Sequence, residues 1–189
     1  MNFPINISMC GFGGQGIVLL SVLLGTTAVT KGNLYAVQTQ SYGSEARGGQ
    51  CQAELILRDE PIGSPVSEKK DILICMFQDA YNKYISTVKD DGVLIVDHNL
   101  VTNQTRKVKS IFEVPATEIA VGLGNRMVAN MVMLGFLAEA SGIITMNDVV
   151  ATVKEEVSPK FVDLNIKAIT AGADFARKNN MYCRKQFGA

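Results

Sequence analysis

The sequence predicts an α/β fold: a mostly parallel central sheet flanked by helices, with an added antiparallel β element and a helical C-terminal third. Three stretches carry that prediction. An apolar run, "INISMC", passes through the glycine turn "GFGGQG" into a second apolar run, "IVLLSVLLG", in the order strand, turn, helix. "DILICMF" and "GVLIVD" are continuous apolar runs with the helical segment "QDAYNKYISTVK" between them, a strand–helix–strand unit that implies a parallel pair and a right-handed crossover. "CQAELILRD" instead alternates, Cys51, Ala53, Leu55 and Leu57 against Gln52, Glu54 and Arg58, the period of a half-exposed strand in an antiparallel ribbon. Together they describe a Rossmann-like arrangement, read as one domain over residues 1–189.

Taken in order, residues 5–10 form a buried strand and residues 17–31 a helix, with Gly32 as its C-terminal cap. Residues 33–40 form a second strand beside the first, residues 41–50 a loop, residues 51–59 the alternating strand and residues 60–65, "EPIGSP", a turn. The strand–helix–strand unit follows, and residues 110–116 are the last strand. Helices then occupy residues 125–140, 146–157 and 163–178, with Thr145 and Asp148 spaced as a capping box ahead of the second. No internal repeat, low-complexity tract or linker interrupts the pattern.

Bulk composition narrows the function classes. Eighteen Lys and Arg balance eighteen Asp and Glu, so the basic footprint of a nucleic-acid binder is missing. Four scattered cysteines and one histidine, His98, provide no zinc spacing and no iron–sulfur ligand run. They read as reduced, packed thiols. "MNFPINIS" lacks the basic-then-apolar order of a signal peptide, and the apolar stretch of residues 17–29 is interrupted and too short to span a bilayer. A cytoplasmic protein without a membrane segment is expected.

Gly11, Gly13 and Gly16 satisfy G-x-G-x-x-G between a strand and a helix; Gly14 and Gln15 complete the turn. Such a turn lets the backbone approach a diphosphate, with free N–H groups and the helix dipole favouring the anion. It also lets a helix pack closely on a strand, and both readings stand. A dinucleotide site needs an acid at the end of the second strand, where the chain reads "QTQSY", so the NAD reading is disfavoured. The next loop gathers Ser41, Glu45, Arg47, Gly48 and Gly49. Carboxyl ends of adjacent parallel strands share one edge, so the two loops are expected to overlook a common crevice where a guanidinium could hold a phosphate or carboxylate.

"GFGGQGIVLLSVLLG", "QTQSYGSEARGGQCQAEL" and "LGNRMVANMVMLG" together resemble the gamma subunit, or gamma domain, of the 2-oxoacid:ferredoxin oxidoreductases, from residue 5 to about residue 172. Within that family the chain is most similar to the stand-alone gamma chain of a 2-oxoglutarate:acceptor oxidoreductase, with enzymes of pyruvate, 2-oxoisovalerate and indolepyruvate as the alternatives. The resemblance implies a multi-subunit enzyme that turns a 2-oxoacid and coenzyme A into an acyl-CoA and carbon dioxide. It also implies thiamine diphosphate, Mg²⁺ and iron–sulfur clusters on other chains, alpha-, beta- and delta-type partner subunits, and ferredoxin or another acceptor reached through the complex. This chain is then expected to hold no catalytic acid, base or nucleophile. Gly11 to Gly16, with Arg47, Gly48 and Gly49, would face the 3′,5′-ADP or diphosphate end of coenzyme A, or else dock onto partner chains. An independent nucleotide-binding protein is the reading of another class, and a homodimer of the isolated chain is left open.

Remaining residues read as structural. His98 is a turn residue, and Asp97 caps the turn after its strand. Cys10 and Cys51 are packing residues beside the two loops. The helix of residues 125–140 has almost no polar face, so it is buried in its own domain or against another chain. Asn125, Asn130 and Asn165 are hydrogen-bonders at helix ends and contacts.

Overall fold

Six strands form one sheet in the computed structural model, which describes residues 2–43 and 49–188. Strand β1 (Ile5–Phe12) runs through the glycine turn into helix α1 (Ile17–Thr30). Strands β2 (Tyr35–Tyr42) and β3 (Gln50–Arg58) follow, then β4 (Lys70–Cys75), α2 (Gln78–Tyr84), β5 (Val88–Asp97) and β6 (Ser110–Val114). The order across the sheet is β2-β3-β1-β4-β5-β6. β1, β4, β5 and β6 pair in parallel, and β3 pairs antiparallel with both β1 and β2.

This order corrects one expectation. β2 is not the neighbour of β1, because β2 and β3 form a hairpin and β3 docks between them. The alternation of β3 explains the choice. Cys51, Ala53, Leu55 and Leu57 enter the core, while Gln52 and Ile56 on the opposite face are also buried, too much for an outer strand. On that opposite face the Gln52 amide donates to Ser8 Oγ at 2.9 Å and to Glu54 Oε1 at 3.0 Å, and buried Lys70 pairs with Glu54 at 2.9 Å. The polar groups of β1, β3 and β4 thereby satisfy one another inside the protein.

The helical part comprises α3 (Ala116–Gly122), a 3-10 turn (Arg126–Val128), α4 (Ala129–Ser141), α5 (Met146–Glu156), α6 (Pro159–Lys178) and a short α7 (Arg184–Phe187). α3 was not read from the sequence: it follows β6 directly, and Pro115 supplies the break. α6 begins four residues earlier than expected because Pro159, at its first turn, already has helical φ and needs no N–H there. Thr145 caps α5 as its spacing suggests, accepting from the Asp148 N–H at 3.2 Å and donating to the Asp148 carboxylate at 2.6 Å. Gly32 is needed for a different reason from the one expected. The left-handed residue after α1 is Asn33, at φ 53°, whereas a Cβ on Gly32 would meet the Ala28 carbonyl oxygen at 2.8 Å.

α4 is buried over all its positions except Glu139, and within this chain itself. Glu139 is held by Arg177 and Arg184, at 3.5 and 2.9 Å. Its neighbour is α6, which it meets backbone to backbone: a Cβ on Gly135 would overlap the Ile169 carbonyl, and one on Gly172 the Val132 carbonyl. Neither obstacle is a movable side chain. Gly135→Ala or Gly172→Ala should therefore lower stability by about 3 kcal/mol or more, as overpacking against backbone does. Gly63→Ala, with nothing within 4 Å, should stay within about 0.5 kcal/mol of the parent. Urea unfolding of the three variants checks both statements.

Candidate functional site

The carboxyl ends of β1, β4 and β5 open on one cavity of about 460 Å³. α1 leaves β1 into the larger core, packed with α4 and α6, whereas α2 leaves β4 into a separate cluster with Cys10, Tyr81 and Val96. The helices diverge to opposite faces at the β1/β4 boundary, which is where an open α/β sheet forms a crevice. Phe12 and Phe77, with ring centroids 5.3 Å apart, build an apolar wall with Met76 and Leu100. Thr117 and the turn before α4 close the opposite side. From that turn Arg126 supplies the only charged side chain of the lining among the described residues, and Met127, 62% exposed, overhangs beside it.

The glycine turn is held by its own chain. Gln15 Oε1 accepts from the Phe12 N–H at 2.6 Å, and Gln15 Nε2 donates to the Met76 carbonyl at 2.8 Å. The Met76 N–H returns to the Cys10 carbonyl at 2.9 Å, so one side chain ties the ends of β1 and β4 together. Gly16, at φ 72°, begins α1 and accepts from Asn130 Nδ2 at 3.1 Å; any Cβ there would overlap the Asn130 amide. Gly11 makes room for Gln15, since a Cβ would come within 2.5 Å of Oε1. Gly14, at φ 96°, is exposed with nothing near its Cβ position.

Of the ten residues assigned to the site from sequence, Gly13, Gly14 and Gln15 line the cavity, and Gly11 and Gly16 shape the turn behind it. Gly49 meets the turn directly, its carbonyl accepting from the Gly13 N–H at 2.9 Å, but it does not line the cavity. Ser41 belongs to β2, not to the loop, and stands opposite Gln52 with β3 between it and β1. Glu45, Arg47 and Gly48 lie outside the described residues. β3 also occupies the place beside β1 from which a dinucleotide fold presents its ribose-binding acid. Arg126, Met127, Thr117 and Phe77 also line the cavity, though nothing in the sequence reading assigns them to the site. The available signal was a lone arginine at the entry to an otherwise apolar helix, within "GNRMVANMVM".

Asp97 is fully buried and works as a cap: it accepts from the Asn99 N–H at 3.1 Å and from the Thr117 N–H and hydroxyl at 2.9 and 2.5 Å. In this way it positions α3 over the cavity. His98 is an exposed turn residue. Cys10 and Cys75 touch at 3.1 Å between their sulfurs, both fully buried. Burial, with the Cys10 hydrogen bond and charge adding, raises the Cys75 thiol well above its ordinary value, and burial raises Cys51. Burial pushes Cys183 up to about 12, against the opposing pull of a backbone hydrogen bond and Arg184. Among the described residues no group of His, Cys, Asp or Glu could hold a metal ion, and no helix is long and apolar enough to cross a membrane.

Two predictions follow from these contacts. Gln15→Ala leaves the Phe12 N–H and the Met76 carbonyl without partners and should lower stability by about 1–3 kcal/mol in thermal unfolding. Cys183 stays neutral in the fold while the unfolded chain ionises it near pH 9, so its contribution is present below about pH 9 and is lost as pH rises towards 12. Urea midpoints should fall between pH 8 and pH 10.5, and Cys183→Ala should flatten that fall.

Comparison with known proteins places this geometry. The family model described as pyruvate ferredoxin/flavodoxin oxidoreductase matches residues 6–175. The 2-oxoglutarate synthase subunit KorC of Methanocaldococcus jannaschii is 40% identical over 175 residues, 91% of this chain and 94% of KorC. The ketoisovalerate oxidoreductase subunit VorA of Methanothermobacter thermautotrophicus is 29% identical over 184 residues, 94% of this chain but 38% of VorA. The crystal structure of the gamma subunit of a keto/oxoacid ferredoxin oxidoreductase from Geobacter sulfurreducens superposes with a TM-score of 0.81 at 33% identity, covering 92% of this chain and 99% of that one. A 2-oxoglutarate:ferredoxin oxidoreductase from Magnetococcus marinus, with 2-oxoglutarate, coenzyme A and succinyl-CoA bound, shares the fold at a TM-score of 0.84 and 17% identity, over 94% of this chain and 32% of that one.

Proposed function

The chain belongs to the pyruvate ferredoxin/flavodoxin oxidoreductase family, and from that premise we propose that it is the gamma subunit of an enzyme converting 2-oxoglutarate and coenzyme A into succinyl-CoA and carbon dioxide. Electrons pass to ferredoxin or another acceptor through the complex. The observation that carries the choice of oxoacid is the 40% identity to a 2-oxoglutarate synthase subunit along 94% of its length, against 29% for the ketoisovalerate subunit. Thiamine diphosphate, Mg²⁺ and iron–sulfur clusters belong to the alpha-, beta- and delta-type partners. The thiols here do not fit an iron–sulfur cluster: all four are buried, and among the described residues no group of His, Cys, Asp or Glu could hold a metal ion.

The chain's own contribution is the crevice. Coenzyme A presents phosphates, an adenine and a flexible arm; the cavity presents one guanidinium, Arg126, beside an apolar wall of Phe12, Phe77 and Met127. A guanidinium suits a phosphate in bidentate geometry, and the wall suits the adenine face or the arm. Gly13 and Gly14 admit close approach at the mouth, with Arg47 and Gly48 as further candidates on the second loop. A competing role for the same loops, docking onto partner subunits, is favoured by the internal use of Gln15 and of the Gly13 N–H.

Arg126→Ala separates the two roles. The crevice reading expects the assembled enzyme to show a KM for coenzyme A raised about tenfold or more, equal to about 1.4 kcal/mol of lost binding, with kcat and assembly unchanged. Failure of the complex to assemble, or an unchanged KM, would favour docking.

A further inference from the structure

The crevice leaves one large surface unexplained. α1 has no charged residue among its fourteen, yet it lies at the surface with Leu19 43%, Val22 36% and Val29 46% exposed. Positions 19, 22, 26 and 29 follow the three–four–three spacing of a seam between helices. Beside α1 runs β2, the outer strand of the sheet, paired only with β3 among the described residues. Its sequence, YAVQTQSY, contains neither a charge nor a proline, the usual guards of an open edge. Between them lies a groove of about 300 Å³, with Val22 and Val29 on the helix side, Ala36 and Gln38 on the strand side and Leu55 at the floor.

We propose that this face binds a second copy of the same chain, the two β2 strands pairing antiparallel across a two-fold axis and the two α1 seams packing over them. The surface is self-complementary. Centred on Gln38, β2 meets its own copy with Tyr35 opposite Ser41, Ala36 opposite Gln40 and Val37 opposite Thr39, so that facing residues share one side of the sheet and no like charges meet. The same axis sets Leu19 of one α1 against Val29 of the other, and Val22 against Thr26. Eight strand residues span about 27 Å, and a sheet edge with one helix layer stands about 20 Å high, a flat area on the order of 500 Å². Two such faces bury on the order of 1,000 Å² in total, the lower bound for a specific interface. Nothing in this arrangement uses the crevice, which opens at the strand ends and not at the sheet edge.

Sedimentation of the full chain from about 1 to about 200 µM tests the proposal, since a dimer's population depends on concentration. The expected species at the upper end has twice the 20.4 kDa chain mass. L19E and V29K, both at exposed positions, should each give a monomer with unchanged circular dichroism. The double variant L19E/V29K should dimerise again, because each new glutamate meets a new lysine across the axis. Hydrogen exchange should show the amides of Tyr35–Tyr42 protected in the dimer and released in L19E. A monomeric parent chain overturns the proposal, as do dimers that survive both single changes and a double variant that stays monomeric. Protection of the same amides only in the assembled enzyme would assign the face to a different subunit and overturn it as well.

Discussion

The contact between α4 and α6 governs how the molecule is put together. Gly135 and Gly172 let the two backbones touch, and the space a single methyl group would need is already filled by main-chain oxygen. With α6 seated that closely, α4 can be almost wholly apolar and still, Glu139 apart, be buried within its own chain. The consequences run outward from both ends of α4. Asn130 holds Gly16 and so the start of α1, the turn preceding α4 aims Arg126 at the crevice, and Glu139 collects Arg177 and Arg184 at the far end. The site is assembled from strand ends, but its arginine is placed by a helix–helix contact deep in the core.

The sheet was legible to the degree that each strand's burial is written in its own residues. Continuous apolar runs marked β1, β4 and β5 as central, and the alternation of β3 marked it as antiparallel. What the alternation does not contain is the identity of the neighbour. Whether β3 lies outside β2 or between β2 and β1 depends on the partners of Gln52 and Glu54, and those are Ser8 and Lys70, 44 and 16 positions away. α3 was missed for a related reason. Its position is fixed by Asp97, twenty residues upstream of Thr117, and no local periodicity reports such a cap.

The glycine motif was legible as a turn and ambiguous as a site. G-x-G-x-x-G requires small residues for close approach, and the structure uses them so: Gly11 accommodates Gln15 and Gly16 accommodates Asn130. An approaching ligand would ask for the same small residues, so composition alone could not separate the roles. Arg126 stayed hidden because a cation becomes significant only beside its surroundings, and Phe12 and Phe77 come from segments more than sixty residues apart.

Gln15 has a kinetic corollary. One side chain fastens the turn to β1 through its oxygen and to β4 through its nitrogen, so the mouth of the crevice cannot widen by a small slip of one strand end. The two bonds that span the strand ends, from Gln15 Nε2 to the Met76 carbonyl and from the Met76 N–H to the Cys10 carbonyl, must break together, and an opening that requires two simultaneous losses is rarer than either loss alone. The crevice is then a rigid aperture with few intermediate widths. For the coenzyme A site proposed above, this means entry and exit through a fixed opening, at rates set by the fit of the ligand and not by a gate.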